Sequence, residues 1–341
     1  MTVRKRRPRI CLAASGGGHV RQILDLKPFW QEHDHYLVTE PTALGHSLAT
    51  EYPTRFVDHF AFGQARIASR ATLAASGLRN FWASLRHTLR ERPDVVISTG
   101  AGSALFTALL GRLTGARFVL IESFARVRGP SLFGRMAHRF ATKVIVQSEA
   151  LKSRWPHAEV CDPLKVLGAG RPEKEPLVFV TVGTVMPFDR LVKGVESLQK
   201  QGLLPERVIA QVGDGGYRAE GWEVHERLPF DEVRAILDKA DIVFCHGGTG
   251  SLVTGCQAGC RVIAIPRDPE RNEHYDNHQE EIVTAFAERG LIQTVRETDD
   301  LPAALAAGRT TEPVRATTEP EKLIFRLRQL MAEWFPDSES K

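Results

Sequence analysis

Two segments of this 341-residue chain repeat one pattern. Residues 94–122 and 241–266 each contain an apolar run, a glycine-rich turn, a helix-like stretch and a second apolar run. This order is typical of a βαβ unit whose turn lets a ligand approach the backbone closely. Strand and helix patterns also alternate around both segments, so we expect an α/β fold with two Rossmann-like, doubly wound parallel sheets. Two such domains facing each other predict a ligand site in the cleft between them.

Length and composition predict where the domains end. A chain of 341 residues exceeds one ordinary hydrophobic core. Residues 169–176 are rich in glycine, proline and charge, which is typical of a linker. We therefore expect a first domain over 1–168 and a second over 177–318. An amphipathic helix over 319–335 could cross back to the first domain, and 336–341 should be a frayed tail.

The charges are distributed unevenly. Residues 1–170 carry 24 Lys and Arg against 12 Asp and Glu, whereas residues 171–341 carry 21 against 29. The basic half predicts an anionic partner, and because no nucleic-acid-binding motif is present, an anionic membrane surface is favoured over nucleic acid. The basic segment 63–92, with Trp and Leu near helical spacing, could lie in a membrane interface. The alternatives are a solvated basic face and a helix packed on the sheet.

No apolar run approaches the roughly 18 residues of a membrane span. The apolar run after the basic amino terminus is too short for a signal peptide. We therefore expect a cytoplasmic protein that lies peripherally on the inner face of the plasma membrane. The five cysteines have irregular spacing, which predicts buried thiols rather than disulfides or zinc ligands.

Residues 15–19, Ser-Gly-Gly-Gly-His, form the most distinctive turn. Consecutive glycines followed by a helix leave backbone N–H groups uncovered, which suits an anion. The turn lacks the Gly-Lys-Ser/Thr of a P-loop, and Arg21 takes the place of the last glycine of a dinucleotide fingerprint, so ATP hydrolysis and NAD chemistry are disfavoured. His19 suits a general base, since the ordinary pKa of histidine is near 6.5. The alternative is a histidine that only caps the helix or satisfies a neighbouring carbonyl.

The second half has corresponding turns. Gly183-Thr184 follows one predicted strand, and residues 247–251, Gly-Gly-Thr-Gly-Ser, follow another. N–H groups and hydroxyls could hold a diphosphate there, and no acidic motif suggests a divalent ion, so we expect no metal and no other cofactor. Residues 267–279 are dense in groups that bind sugar hydroxyls, with a solvated surface loop as the alternative.

Motifs along nearly the whole chain resemble a known enzyme family. The motifs at 15–19, 98–100, 122–126 and 146–147 resemble the membrane-associated, acceptor-binding subunit of the eukaryotic two-subunit UDP-GlcNAc transferase of N-glycan assembly. The motifs at 179–184, 188–191, 246–251 and 276–279 resemble its catalytic subunit. The chain is similar to a fusion of the two, and more distantly to MurG-type peptidoglycan GlcNAc transferases. The resemblance implies a GT28-like, inverting, metal-independent glycosyltransferase of the GT-B fold.

A closer resemblance is to bacterial exopolysaccharide glucuronosyltransferases of the PssD/PssE type and their single-chain sphingan-type counterparts. The shared stretch is Pro266-Arg267, Glu273-His274 and 277–279. This resemblance implies transfer of glucuronate from UDP-glucuronate to a polyprenyl-diphosphate-linked saccharide, with glucose and a β-1,4 linkage as the best match. The GlcNAc-transferring relatives have a ribose-binding glutamate where this chain has Thr254, which makes a GlcNAc donor less expected.

The resemblance also implies residue roles. His19 would be the catalytic base. The residues expected to bind the UDP-sugar are Gly183, Thr184, Leu228, Phe230, His246, Thr249, Gly250, Ser251, Arg267, His274, Asp276, Asn277 and Gln279. The residues expected to bind the acceptor are Gly17, Gly18, Thr99, Gly100, Glu122, Arg126 and Arg128. Arg267, with His274, would contact the glucuronate carboxylate, and Arg126 or Arg128 the lipid diphosphate.

Other functions stay open at this point. A transferase could use UDP-GlcNAc or UDP-galactose with a lipid-linked acceptor. A UDP-sugar epimerase or hydrolase would need no lipid acceptor, and a non-catalytic module would bind UDP and leave the donor intact. The favoured partners are a UDP-sugar, a polyprenyl-diphosphate-linked acceptor and the anionic membrane surface, without nucleic acid.

Overall fold

The first unit is built on a seven-stranded parallel sheet. The computed structural model describes residues 7–60, 70–183, 186–274 and 277–336. The chain divides into one unit that ends at Pro163 and resumes at Pro320, and a second unit over Leu164–Glu319. Residues outside the described ranges are not discussed further.

The first unit alternates strands and helices. Its strands are β1 (Arg9–Ala14), β2 (Asp34–Thr39), β3 (Thr54–Phe56), β4 (Val95–Gly100), β5 (Arg117–Ile121), β6 (Lys143–Val146) and β7 (Glu159–Val160). Its helices are α1 (Gly18–Asp25), α2 (Lys27–Trp30), α3 (Ala43–Glu51), α4 (Arg70–Glu91), α5 (Leu105–Leu113), α6 (Leu132–Ala137) and, from the chain end, α12 (Glu321–Trp334). The sheet order is β3-β2-β1-β4-β5-β6-β7. The central strands β1 and β4 are buried over almost their whole length, as expected for a parallel sheet covered on both faces.

The terminal helix α12 completes the core of this unit. Leu327 and Leu330 are each 1 % exposed and pack with the residues of β1 and α2. Arg326 forms a bidentate contact with Glu159 of β7, with Nε–Oε2 at 2.6 Å and Nη2–Oε1 at 3.1 Å. The helix that follows the second unit in sequence therefore packs in the first unit, because its apolar stripe fills the gap beside α2.

The second unit repeats the architecture with six parallel strands. Its strands are β8 (Leu164–Ala169), β9 (Glu175–Thr181), β10 (Arg207–Gln211), β11 (Glu223–His225), β12 (Ala240–His246), β13 (Arg261–Ile265), β14 (Gln293–Thr294) and β15 (Val314–Thr318). Its helices are α7 (Asp189–Lys200), α8 (Phe230–Lys239), α9 (Thr249–Ala258), α10 (His278–Glu288) and α11 (Leu301–Thr310). The sheet order is β11-β10-β9-β12-β13-β14, and β8 pairs with β15 in a separate antiparallel sheet.

The sequence repeat corresponds to equivalent parts of the two sheets. Residues 94–122 form β4-α5-β5 and residues 241–266 form β12-α9-β13. In both parallel sheets the repeat begins next to the first strand of that sheet, at β1 and at β9. The predicted α/β class with two Rossmann-like sheets is confirmed.

Two local expectations differ from the structure. The helix expected over 20–30 is interrupted after Asp25, and α2 begins at Lys27 with Pro28 in its first turn, where a missing N–H costs nothing. Within the segment expected to be a linker, Ala169 ends β8 and Glu175 begins β9, so ordered strands reach into it from both sides.

Candidate active site

Each sheet has one position where the strand order reverses. In the first unit this position lies between β1 and β4, and in the second between β9 and β12. Ligands of open α/β sheets bind beyond the carboxyl ends of the strands at this point. The turn at 15–17 follows β1, and Gly248 follows β12 directly before α9. The predicted glycine turns therefore lie where each sheet favours a ligand.

His19 lies in the first turn of α1, held against the end of β4. Its Nδ1 lies 2.7 Å from the carbonyl oxygen of Thr99, and the hydroxyl of Thr99 donates to the carbonyl oxygen of His19 at 2.9 Å. A carbonyl oxygen only accepts, so Nδ1 carries the proton and the lone pair of the neutral ring lies on Nε2. The ring is thus oriented as a general base requires.

The glycines around His19 have distinct reasons to be glycine. A Cβ on Gly100 would lie 3.2 Å from Cε1 of His19, and φ at this residue is +100°. Gly17 precedes α1 with φ +75°, and nothing lies within 4 Å of a Cβ added to Gly17 or Gly18. No side chain caps α1, so the N–H groups of its first turn have no partner within the helix. This open helix start suits an anion.

Glu122 holds the loop that carries the two predicted acceptor arginines. It is 2 % exposed, and its carboxylate accepts from the N–H of Ser123 at 2.9 Å and from the N–H of Ser131 at 3.1 Å. Burial raises the pKa of Glu122, although these hydrogen bonds act in the opposite direction. Arg126 is half-buried and Arg128 is exposed on this loop. Glu122 therefore positions the loop, a role that its motif does not predict.

The start of α9 is the corresponding feature of the second unit. Thr249, Gly250 and Ser251 form its first turn, and no side chain caps it. Their N–H groups precede the first intrahelical bond, which joins Leu252 N–H to the carbonyl of Gly248 at 3.1 Å. A Cβ on Gly250 would meet nothing within 4 Å. The predicted diphosphate residues thus present uncovered N–H groups at a helix start.

His246 packs between Gly183, a predicted donor-binding residue, and Gly248. A Cβ on Gly183 would lie 2.7 Å from its Cε1, and a Cβ on Gly248 would lie 2.2 Å from its Nε2. Burial, assisted by the positive charge of Arg267, lowers the pKa of His246 to about 3. Its Nδ1 is buried without a hydrogen-bond partner within the described part of the chain. The ring is therefore neutral near pH 7 and shapes the turn rather than adding charge to it.

Arg267 has a different environment from the one its motif predicts. The residue is 4 % exposed, and burial lowers its pKa to about 10. Its Nη1 donates to the carbonyl of Pro187 at 2.8 Å, and its Nη2 donates to the carbonyls of Val182 and Met186 at 2.9 and 2.6 Å. A contact between this guanidinium and a donor carboxylate would have to compete with these carbonyls. The structure therefore directs Arg267 to the backbone.

The remaining donor-binding candidates lie near the starts of α10 and α8. Gln279 is 4 % exposed, and its Oε1 accepts from the N–H of Arg267 at 3.1 Å. His274 is half-buried with its ring 4.8 Å from that of His278, and Asn277 is exposed at the start of α10. Leu228 is 9 % exposed, whereas Phe230, the first residue of α8, is 55 % exposed. Thr184 and Asp276 lie outside the described residues.

Several residues around the site are not predicted from the sequence. Arg190, in the first turn of α7, pairs with Glu273, which lies on the same loop as Arg267, with Nε–Oε1 at 2.8 Å. Gln147, 6 % exposed, donates to the carbonyl of Glu122 at 2.8 Å and to Oε1 of Gln22 on α1 at 3.2 Å. These contacts join residues 25 to 125 positions apart, and no local pattern signals them. Within the described ranges no group of three or more His, Cys, Asp or Glu is placed to hold a metal ion.

Family models match both halves of the chain. Residues 177–333 match the model described as the glycosyltransferase family 28 C-terminal domain. Residues 14–164 match the model described as oligosaccharide biosynthesis protein Alg14 like. The Alg14-like match covers β2 to β7 of the first unit, and the family 28 match covers most of the second unit and α12.

Proteins with similar sequences are named as N-acetylglucosamine transferases or as a subunit of one. The UDP-N-acetylglucosamine--N-acetylmuramyl-(pentapeptide) pyrophosphoryl-undecaprenol N-acetylglucosamine transferase of Verminephrobacter eiseniae is 25 % identical over 298 residues, 78 % of this chain and 81 % of the relative. The UDP-N-acetylglucosamine transferase subunit ALG14 of Mus musculus is 28 % identical over 171 residues, 43 % of this chain and 79 % of that subunit.

Solved structures agree with the fold. The crystal structure of Acinetobacter baumannii MurG matches with a TM-score of 0.65 at 17 % identity, covering 94 % of this chain and 99 % of that one. The chain therefore joins an Alg14-like region to a glycosyltransferase family 28 C-terminal domain, and the protein is a glycosyltransferase of the GT-B fold.

Proposed function

We propose that this protein is an inverting, metal-independent glycosyltransferase that moves a sugar from a UDP-sugar to a saccharide carried on polyprenyl diphosphate. The observation that carries the proposal is the contact between His19 Nδ1 and the carbonyl of Thr99 at 2.7 Å. With Nδ1 donating to this carbonyl, Nε2 would be the nitrogen that takes the proton of an acceptor hydroxyl as that hydroxyl attacks the anomeric carbon. The names of the relatives, which transfer N-acetylglucosamine, one of them to a lipid pyrophosphate, support a lipid-linked acceptor.

The second unit would bind the donor. The uncapped start of α9 and the neighbouring Gly183 would hold the diphosphate. Preorganised N–H groups stabilise the charge that develops on the leaving UDP, which is the task that a metal performs in other transferases. Leu228 and Phe230 would flank the uracil, and Gln279 with Asn277 would bind sugar hydroxyls.

Glucuronate is the donor sugar we propose. The support is the resemblance of residues 266–279 to glucuronosyltransferases, together with the position of His274 on that loop beside His278. Since the Arg267 guanidinium donates to backbone carbonyls, His274 becomes the first candidate for the carboxylate. Thr254, at the place of the ribose-binding glutamate, donates its hydroxyl to the carbonyl of Gly250 at 2.8 Å. UDP-GlcNAc is the second candidate, favoured by the names of the relatives.

The first unit would bind the acceptor. Gly17 and Gly18 at the uncapped start of α1, with Arg126 and Arg128, would hold the lipid diphosphate. Arginine suits this task because its planar fork matches phosphate oxygens. Glu122 and Gln147 would keep this loop and α1 in place.

Helix α4 would contact the anionic membrane surface at the inner face. This helix buries polar side chains and exposes apolar ones. Asn80 and Ser84 are fully buried against the unit, whereas Leu78 and Trp82 are each 59 % exposed. A cavity of about 490 Å³ with apolar walls opens beside Leu78, between α4 and Phe106. Apolar side chains on an outer helix face that also carries arginines are typical of an interfacial helix. No helix in the described ranges is long and apolar enough to cross a bilayer.

A donor screen tests the proposal. Purified protein is incubated with polyprenyl-diphosphate-linked glucose in vesicles and with UDP-glucuronate, UDP-GlcNAc, UDP-galactose or UDP-glucose, with and without a chelator. We expect UDP release and a glycolipid heavier by one glucuronate, unaffected by the chelator. His274→Ala should reduce glucuronate transfer more than UDP binding, whereas His225→Ala, a histidine on β11, should change neither. Release of free sugar or a 2-epimer without acceptor would replace the proposal with a hydrolase or epimerase.

Vesicle flotation tests the membrane surface separately. Trp82→Glu should lower binding to anionic vesicles. Phe325→Glu should leave vesicle binding unchanged, because Phe325 lies on α12 and not on α4. It is a matched control because Phe325 is similarly exposed, at 61 %. Equal binding of both variants would exclude α4 as the contact.

A further inference from the structure

Two loops of the second unit are joined by buried arginine contacts. The first loop connects β9 to α7, contains Gly183 and is described at residues 182–183 and 186–188. The second connects β13 to α10 and is described at residues 266–274 and 277. Arg267 on the second loop donates to the carbonyls of Val182, Met186 and Pro187 on the first, at 2.9, 2.6 and 2.8 Å. A single guanidinium thus donates hydrogen bonds to three carbonyls of one turn.

A second ion pair joins the same region. Arg190, in the first turn of α7, forms two hydrogen bonds of 2.8 Å with the carboxylate of Glu273. Its Nη2 also donates to the carbonyl of Pro266 at 3.2 Å, and Glu273 accepts from the N–H of Asp268 at 2.9 Å. Both partners are about 15 % exposed, at 14 and 15 %, so water screens the pair less than a surface pair. The second loop is therefore bound to the first loop through Arg267 and to the start of α7 through Glu273.

Phe188 lies between the two arginines. It is 2 % exposed, and its ring centroid is 4.7 Å from Cζ of Arg267 and 5.1 Å from Cζ of Arg190. Cations over an aromatic ring are attracted to its face. This attraction favours the position that each guanidinium occupies beside the loop.

The same network reaches the turn before α9. The N–H of Arg267 donates to Oε1 of Gln279, and a Cβ on Gly247 would lie 2.9 Å from Cβ of Gln279. Arg267 thus contacts the loop that contains Gly183 directly and the turn before α9 through Gln279. We call Arg267, Arg190 and Glu273 the arginine clamp.

We propose that Arg267 is a positioning residue, which with Arg190 and Glu273 keeps residues 182–183 and 186–188 in one fixed arrangement with residues 266–274 for the UDP-sugar. The inference rests on the proposed function, and it assigns Arg267 an effect that is independent of the donor sugar. Lysine cannot replace it, because an ammonium is a point charge and lacks the planar fork that reaches three carbonyls. Removal of the fork leaves buried carbonyls without donors, so the loop must rearrange.

The test compares Arg267→Lys with Arg271→Lys. Arg271 is a matched control on the same loop, 44 % exposed and paired with Glu297 at the surface. Hydrogen exchange of the amides of Arg267 or its replacement, Asp268 and Glu273 measures the loop arrangement, because these N–H groups donate within the network. Kinetics with UDP-glucuronate and UDP-GlcNAc, and calorimetry with UDP, measure the donor site.

We expect Arg267→Lys to accelerate exchange of these amides about tenfold or more, a change typical of a lost buried hydrogen bond. Exchange in β10 should be unchanged. The KM for both UDP-sugars and the Kd for UDP should rise by the same factor, and Arg271→Lys should resemble the wild type. Where Arg267→Lys fails to fold, Glu273→Gln takes its place, with the same amides accelerated to a smaller extent.

Two results would overturn the inference. Unchanged exchange at these amides would show that the clamp does not hold the loops. A loss confined to UDP-glucuronate would make Arg267 a ligand of the donor carboxylate instead. Absence of transferase activity from the wild-type protein would refute the proposed function alone, since the exchange measurement needs no substrate.

Discussion

His19 and Thr99 are joined by two hydrogen bonds, one from the imidazole to the Thr99 carbonyl and one from the Thr99 hydroxyl to the His19 carbonyl. The pair connects the first turn of α1 to the end of β4, 80 residues away in sequence. The ring orientation therefore depends on the whole strand arrangement of the first unit.

His19→Ala should lower turnover by about 10²- to 10⁴-fold, the usual contribution of a general base, while the Kd for UDP stays unchanged. Initial rates and calorimetry measure the two quantities. Gly100→Ala is a milder version, because its Cβ would press on the ring at 3.2 Å and its φ is +100°. An active His19→Ala variant would exclude this histidine as the base.

Gly248→Ala and Gly250→Ala should separate folding from binding. A Cβ on Gly248 would lie 2.2 Å from His246 Nε2, so we expect a loss of about 1–3 kcal/mol in the free energy of unfolding, as for overpacking. A Cβ on Gly250 meets no atom within 4 Å, so stability should be kept while the methyl group obstructs the diphosphate and weakens UDP binding. Thermal unfolding and calorimetry distinguish them. Unchanged UDP binding by Gly250→Ala would move the diphosphate away from α9.

His246 should make the stability of the second unit fall at acidic pH. The pKa of His246 is lowered from 6.5 to about 3 in the folded protein. Between these two pH values the unfolded chain therefore binds a proton that the folded chain does not bind. Stability from this group is complete above pH 6.5 and declines by about 1.4 kcal/mol per pH unit as the pH falls toward 3. Denaturant unfolding of wild type and His246→Asn at pH 7.5 and 5 measures the difference. The same pH dependence in both proteins would contradict this assignment.

The terminal helix should stabilise the first unit rather than the second. Leu327→Ala should cost about 2–5 kcal/mol, because the side chain is 1 % exposed in the core. Phe325→Ala on the same helix should change stability by less than about 0.5 kcal/mol, since Phe325 is 61 % exposed. Hydrogen exchange by unit locates the effect. Faster exchange in the second unit alone would contradict the assignment of α12.

The fold class could be predicted because local patterns of apolar residues and glycine turns indicate strands and helices without knowledge of the tertiary structure. The apolar runs at 95–100 and 242–246 became central strands, since each is short, apolar and followed by a glycine turn. The helix expected over 20–30 was interrupted, because the pattern of apolar residues continues through a proline that begins a new helix. Local patterns locate elements well and their boundaries less well.

The candidate site was predictable only in part. His19 and the two helix starts were found from the sequence, because a glycine turn between strand and helix carries its own signal. The environment of Arg267 was not, since its partners are backbone carbonyls about 80 residues away and any residue has a carbonyl. The sequence left open which side of α4 is buried, because a mixture of Leu, Trp, Arg and Asn does not indicate which side contacts the rest of the unit.

The sequence by itself determined the alternation of strands and helices, the repeat of one βαβ unit and the glycine turns that follow the strands. These features are set within a few residues by backbone freedom and apolar periodicity. Only the tertiary structure decided which nitrogen of His19 carries the proton, which carbonyls bind Arg267 and which side of α4 is buried. Each depends on residues brought together from distant parts of the chain, so sheet order and packing, rather than local pattern, set them.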